Sequence, residues 1–155
     1  MITQLVTLAG VLVGALTSFL ATSMAERTRH RRAMATRWDE RKLTTYIEYA
    51  ACVKEISSTA KRARYAAEGT DDQREFLAAM EAAELRRSVL FETLVLLASP
   101  AAIEAAHAVN LTLWEVEIAT RDGGGTPGES DQRLIKLINR YHEQARADLG
   151  VPHGA

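Results

Sequence analysis

The chain has few of the residues that build cross-links and reactive sites. It contains one cysteine, Cys52, among 155 residues, which excludes an internal disulfide and leaves a cysteine-based zinc site without ligands. The glycines at 123–125 follow a predicted helix and lack the Lys-Ser/Thr ending of a phosphate-binding loop. No nucleophile paired with a base and no metal-ligand cluster is evident. The sequence therefore predicts a protein that is not an enzyme and holds no metal or cofactor.

Charged side chains are absent from residues 1–25. A helix over residues 5–24 would rise roughly 30 Å, which matches the hydrocarbon thickness of a bilayer. We therefore predict a transmembrane anchor over residues 1–25. Small side chains recur every fourth residue within it, at Gly10, Gly14, Ser18 and Thr22. Because small residues let helix backbones approach closely, we expect this face to pack against another membrane helix.

A basic juxtamembrane collar, residues 26–42, follows the predicted anchor. It has seven basic and three acidic side chains, a net charge of +4 in a chain of net charge −1. Basic flanks stay in the cytoplasm, which predicts an outside N-terminus and a cytoplasmic domain at the inner or plasma membrane. Contact with lipid head groups is expected from Arg27, Arg29, Arg31, Arg32, Arg37 and Trp38. Basic residues crowded beside an anchor, rather than spread over a groove, argue against nucleic-acid binding.

Two other interpretations of the N-terminus stay open. Small residues around Met24, at Ser23 and Ala25, fit a signal-peptidase site and would give a secreted bundle after cleavage near Ala25. The basic residues that normally precede a signal peptide's apolar core are missing here. The apolar stretch could also be a soluble helix buried in an oligomer.

Glycine and proline are both absent from residues 15–68. Nothing in this range ends a helix, so the anchor could continue to Glu68 as a rod on the order of 100 Å long. Its lower part is amphipathic, with apolar residues repeating at three and four from Leu43 to Ala67. A bend near the collar is equally compatible with the sequence.

Helix-capping residues divide the rest of the chain. Gly69 predicts a stop, and Thr70 with Gln73 predicts the start of a helix that extends through Ala98. Further on, the signals are Ser99 with Pro100 for a helix to Asp122, Ser130 as an N-cap, and Gly150 with Pro152 as an end. No alternating strand pattern appears. We predict an all-α fold in which residues 43–150 form an antiparallel three- to four-helix bundle, followed by a tail at 151–155.

Glu92 is the only charged residue between Ser88 and Ile103. This predicts a buried helix end in which the Glu92 carboxylate needs a partner such as Arg140. An alternative function follows, a ligand-sensing or catalytic bundle in which Glu92, His107 and His142 face one cavity. Glu104 and His107 also have the spacing of a di-iron ligand pair, but a second pair is missing, so a surface pair is the simpler interpretation.

Three segments of the chain support a resemblance. They are the run from Arg37 to Tyr46, the run Phe91-Glu92-Thr93-Leu94, and the run from Arg146 to Val151. Together they resemble small uncharacterised actinobacterial single-pass membrane proteins with a cytoplasmic helical domain. The resemblance implies the anchor and helical domain over nearly the whole chain, and implies no activity.

The expected function is therefore that of a membrane-anchored helical scaffold, interaction module or accessory subunit. Its expected partners are membrane lipid and either further copies of itself or the subunits of a larger membrane complex.

Overall fold

The computed structural model describes residues 37–122 and 129–151, and all regular structure within them is helical. Helix α1 covers residues 37–65, α2 Asp71–Leu97, α3 Pro100–Arg121 and α4 Glu129–Asp148. The predicted all-α bundle is confirmed in this part of the chain, which forms four helices. None of the described helices combines the length and apolar character that crossing a membrane requires.

Several predictions concern residues outside the described part of the chain. They are the anchor with its face at Gly10, Gly14, Ser18 and Thr22, the cleavage site near Ala25, and the head-group contacts of Arg27, Arg29, Arg31 and Arg32. By internal packing the chain divides into Met1–Glu40 and Arg41–Ala155. Of the first unit only residues 37–40 are described, and they are helical and exposed, including Arg37 and Trp38.

Capping side chains begin α2 and α3 where the sequence predicts. The Thr70 hydroxyl accepts a hydrogen bond from the Gln73 backbone N–H, while the Gln73 side chain accepts one from the Gly69 N–H. These bonds satisfy two amides for which the helix has no carbonyl. The Ser99 hydroxyl caps α3 in the same way, ahead of Pro100. The connection between α2 and α3 is therefore only two residues long, Ala98 and Ser99.

The structure defines the C-terminal end of α1 and both ends of α4. Helix α1 ends at residue 65, before the predicted limit at Glu68, and Gly69 lies in the following turn with a φ of 74°. Helix α4 begins at Glu129, so Ser130 lies in its first turn and is not its N-cap. At the other end Gly150 has a φ of 66°, and the Gly150 and Val151 amides donate to Ala147 and Arg146, respectively. This is the Schellman arrangement, which places glycine in a left-handed conformation.

Contacts at both ends of each helix pair show that neighbouring helices are antiparallel. Helix α1 meets α4 through Arg64 with Asp131 near one end and Tyr46 with Asp148 near the other. Between α1 and α2 the contacts are Glu55 with Arg86 and Arg62 with Phe76. Between α2 and α3 they are Glu84 with Glu117 and Phe91 with His107. Between α3 and α4 they are Glu115 with Arg133 and Ser99 with Asp148. Residues 41–122 and 129–151 thus form an up-down-up-down bundle.

The core of the bundle combines alanines with three tyrosines. Ala60, Ala83 and Ala106 have no exposed surface. The Tyr141 ring lies 5.8 Å from the Tyr46 ring and 5.0 Å from the Tyr49 ring, measured between centroids. Each tyrosine hydroxyl is hydrogen-bonded, which offsets the cost of burying it.

Candidate functional site

The outer face of α3 is apolar at its centre. Leu111, Trp114 and Ile118 occupy one side of the helix at spacings of three and four, and they are between 39% and 62% exposed. The opposite side buries Val109, Leu113 and other residues in the core. Helix α3 therefore carries large apolar side chains on both sides, although the bundle covers only one.

Helix α2 has the same property. Its inner side buries Met80, Ala83, Arg87 and Leu94. Its outer face carries Leu85, Val89 and Leu96, which are between 68% and 83% exposed. Their spacings of four and seven place these three side chains on one side of the helix.

This exposure corrects the prediction that the segment from Ser88 to Ile103 is buried on most sides. Glu92 is exposed, and so is Arg140, so Glu92 is not a buried carboxylate in need of that partner. A lack of charge indicates burial only where other helices surround a segment, and here one side, which carries Val89, Glu92 and Leu96, is exposed. Exposure of several apolar side chains there is itself informative, because contiguous apolar patches mark interaction sites.

Helix α4 exposes fewer large apolar side chains than α2 and α3, with Ile135 the only one among its described residues. Leu134, Tyr141 and Ala145 face the core, while the other side carries mainly charged residues such as Lys136 and Arg140. Such a single apolar stripe is expected of a surface helix. Helices α2 and α3 depart from it most, and α1 departs from it at Leu43 and Ile47.

The predicted ligand residues are not in one cavity. Glu92, His107 and His142 are all exposed. His107 lies beside Phe91, with ring centroids 6.3 Å apart. His142 lines an open groove of about 570 Å³ between α1 and α4, to which neither of the other two contributes. Partial burial, and secondly the charge of Lys54, lower the pKa of His142.

The buried ionisable cluster of the bundle lies elsewhere, on α2 and α3. The Arg87 guanidinium binds both carboxylate oxygens of Glu84, with Nε 2.7 Å from Oε2. Glu84 in turn is hydrogen-bonded to Glu117, which is 4% exposed. Two carboxyl groups can share a hydrogen bond only when one holds a proton. Burial first, and then the hydrogen bond and charge of Glu84, raise the pKa of Glu117 to about 7.

The partners of Glu84 shift its pKa in the opposite direction. Burial favours its neutral form, but the hydrogen bond and charge of Arg87 outweigh burial and lower its pKa. The proton of the pair therefore belongs to Glu117. The Glu117 Oε1 atom is buried and has no hydrogen-bond partner, which adds to the cost of ionising this side chain.

Tyr49 connects the cluster to α1. Its hydroxyl lies 2.9 Å from the Ala106 carbonyl oxygen and 2.6 Å from Asn110 Oδ1, both on α3, and Arg87 lies close enough to interact with it. Burial raises the pKa of Tyr49 far above its usual range. The cluster thus joins three helices, and Glu84, Arg87 and Glu117 line none of the three described cavities.

Sequence reasoning missed Glu117 and Tyr49, although a signal for each was present. Glu117 follows the apolar positions Val109, Leu113 and Val116 on the inner side of α3, so helical periodicity alone places it near the core. Tyr49 follows Tyr46 by three residues on the amphipathic part of α1. Among the described residues, no three metal-ligating side chains are grouped as a metal site requires.

Comparison with known proteins adds no relative. No family model, curated protein or solved structure matches the chain. Its function is therefore inferred from the two features described above, the apolar outer faces of α2 and α3 and the buried cluster beneath them.

Proposed function

We propose that this protein is a membrane-tethered, non-catalytic interaction module that binds another protein chain through the outer faces of α2 and α3. The observation that carries the proposal is the exposure of Leu85, Val89 and Leu96 on α2 and of Leu111, Trp114 and Ile118 on α3. Burying one such side chain in an interface contributes about 1.5–3 kcal/mol. A partner that covers even two of them gains substantial affinity.

The tether is proposed from sequence features. Residues 1–25 are uncharged, and the collar that follows is basic. A protein held at the membrane needs less intrinsic affinity, because confinement raises the effective concentration of its partner. The small-residue face with Gly10 and Gly14 would add a contact between membrane helices.

The buried cluster does not favour catalysis. Glu117 and Glu84 touch each other and Arg87, and no described cavity opens onto them. A reaction needs a place where substrate meets the reacting group. A structural role for the cluster is the consistent interpretation.

The test uses the full-length chain extracted from membranes in a mild detergent. We expect the wild type to migrate as an assembly larger than a monomer, and Trp114→Glu to lose that assembly. The matched control is Ile135→Glu, because Ile135 is equally exposed, at 59%, but lies on α4. A monomeric wild type, or equal loss in both variants, would refute the use of these outer faces.

Two further measurements address the membrane. The proposal requires the full-length chain to stay in the membrane fraction after a high-salt wash, and recovery in the soluble fraction would refute the tether. Replacing Gly10 and Gly14 together by leucine should weaken assembly in membranes. Unchanged assembly would rule out the small-residue face as a contact, while leaving the outer faces of the bundle to be judged by the Trp114 variant.

A further inference from the structure

Six exposed residues on α3 form a row along nearly the whole helix, which we call the seam. Successive members are separated by three, four, three, four and three residues, the spacing by which two helices of a coiled coil meet. The members are Glu104, His107, Leu111, Trp114, Ile118 and Arg121, and every one is exposed. His107 lies beside Phe91 of α2 and Arg121 acts on the charges of Glu84 and Glu117, so among the described residues this side of α3 is uncovered at its centre, from Leu111 to Ile118.

The seam is complementary to the seam of a second copy that runs in the opposite direction. If a second copy of α3 lies antiparallel with its centre between residues 111 and 114, Leu111 meets Trp114 of that copy. His107 then meets Ile118, and Glu104 meets Arg121. The two Leu111–Trp114 pairs lie at the middle of the contact, and a Glu104–Arg121 pair of opposite charge lies at each end.

From this complementarity we infer that two copies of the chain associate through α3, packed antiparallel about a two-fold axis near Leu111 and Trp114. The inference rests on the proposed function and names the partner, a second copy, for the α3 part of the outer face. Two-fold contacts are isologous, so each favourable pair occurs twice.

Charge selects the antiparallel orientation over the parallel one. A parallel pair would place Glu104 against Glu104 and Arg121 against Arg121, and like charges across an interface are costly. The antiparallel pair replaces both repulsions by Glu104–Arg121 contacts. The seam therefore specifies direction as well as partner.

Contact along one helix makes a small interface. From residue 104 to residue 121 the seam is roughly 26 Å long, and an interface of this kind lies below the standard size of stable complexes. The dimer is therefore expected to be weak, with a Kd on the order of micromolar in detergent.

The experiment measures the Kd of the full-length chain in detergent by sedimentation, from micromolar to millimolar concentration. Leu111→Glu places a carboxylate at the centre of the dimer twice and should raise the Kd by at least about tenfold. Ile135→Glu on α4 should leave the Kd unchanged. Thermal unfolding of each variant shows whether the bundle itself is intact.

Charge reversal tests the orientation. Glu104→Arg should weaken the dimer, and combining Glu104→Arg with Arg121→Glu should restore self-association. The double variant should not pair with the wild type, because that combination places like charges together. Arg121 also acts on the charges of Glu84 and Glu117, so Arg121→Glu could unfold the bundle. In that case the Kd is compared among Arg121→Gln, Glu104→Gln and the variant that carries both changes.

The outcomes separate this inference from the proposed function. A wild type that binds a different protein through Trp114, and stays monomeric by itself at millimolar concentration, would overturn the two-fold dimer while supporting the interaction module. A dimer that neither Leu111→Glu nor charge reversal affects would overturn the α3 contact. Rescue by double charge reversal, with selective loss in Leu111→Glu, would establish it.

Discussion

The hydroxyl of Tyr46 donates a hydrogen bond of 2.6 Å to the carboxylate of Asp148, which joins the first helix to the end of the last. Asp148 also accepts from the Ser99 backbone N–H at 3.2 Å and lies 3.2 Å from the Lys42 ammonium. One carboxylate therefore connects α1, the α2–α3 connection and α4. Burial opposes its ionisation, but the hydrogen bonds from Tyr46 and Lys42 outweigh burial and lower the pKa of Asp148.

Asp148→Ala should lower the free energy of unfolding by about 2–3 kcal/mol at neutral pH, because buried donors lose their acceptor. A lowered native pKa gives stability that is present above the unfolded pKa and is lost as pH falls through the native value. The difference from wild type should therefore shrink below about pH 4. Urea unfolding at several pH values measures it, with Glu143→Ala, an exposed carboxylate on the same helix, as the control. A loss in Asp148→Ala that stays constant at acid pH would contradict this account.

Glu117→Gln should stabilise the protein above pH 7. The native pKa of Glu117 is raised to about 7 from the usual 4.5, so its contribution to stability is intact below the lower value and is lost as pH rises through the upper one. The whole difference is on the order of 3 kcal/mol. Glutamine cannot ionise, and its amide can still donate a hydrogen bond to Glu84.

The measurement for Glu117 is the difference in unfolding free energy between wild type and variant, taken from pH 4.5 to pH 8. The difference should grow across this range in favour of glutamine. Subtracting the two proteins removes the titration of other groups such as His142. A difference that is flat with pH would show that Glu117 has an ordinary pKa.

Tyr49→Phe should destabilise the bundle by about 1–2 kcal/mol, because it removes a hydroxyl whose one proton is within hydrogen-bond reach of both the Ala106 carbonyl and Asn110 Oδ1. Tyr65→Phe is the matched control, since Tyr65 is on the same helix and exposed. Chemical denaturation compares the two variants. Equal effects would mean that the Tyr49 hydroxyl contributes nothing beyond its ring.

Gly150→Ala should cost about 1 kcal/mol, because an L side chain is strained at a φ of 66°. A Cβ at this position would meet nothing within 4 Å, so the effect is one of backbone conformation alone. Gly150→Asn should lose less, since asparagine tolerates the left-handed region. Thermal unfolding ranks the three proteins. If alanine and asparagine were equivalent, another origin of the loss would be needed.

Local capping signals were sufficient to predict most of the helix boundaries. Thr70, Ser99 with Pro100, and Gly150 act through hydrogen bonds and backbone angles within a few residues of themselves, so a single sequence contains the required information. Ser130 failed as an N-cap because a hydroxyl residue in the first turn gives a similar signal when the helix begins slightly earlier.

The side on which a residue is buried was less predictable. Glu92 lies in an apolar run and is exposed, whereas Glu117, which lies between Val116 and Ile118, is buried. Burial depends on where the other helices lie, and the packing of helices that are apolar on both sides cannot be read from one helix alone. The same ambiguity concealed the outer faces of α2 and α3.

The alanine-rich core has a consequence for how the bundle chooses its alignment. Ala60, Ala83 and Ala106 are fully buried and present small, similar surfaces, so these positions discriminate only weakly between different offsets of the helices. Tyr49 and Glu117 have no such substitutes, because each finds its partner at a single height along the bundle. The polar cluster thus fixes the register in which the helices pack. Removing it should yield a bundle that still collapses but samples several offsets between its helices.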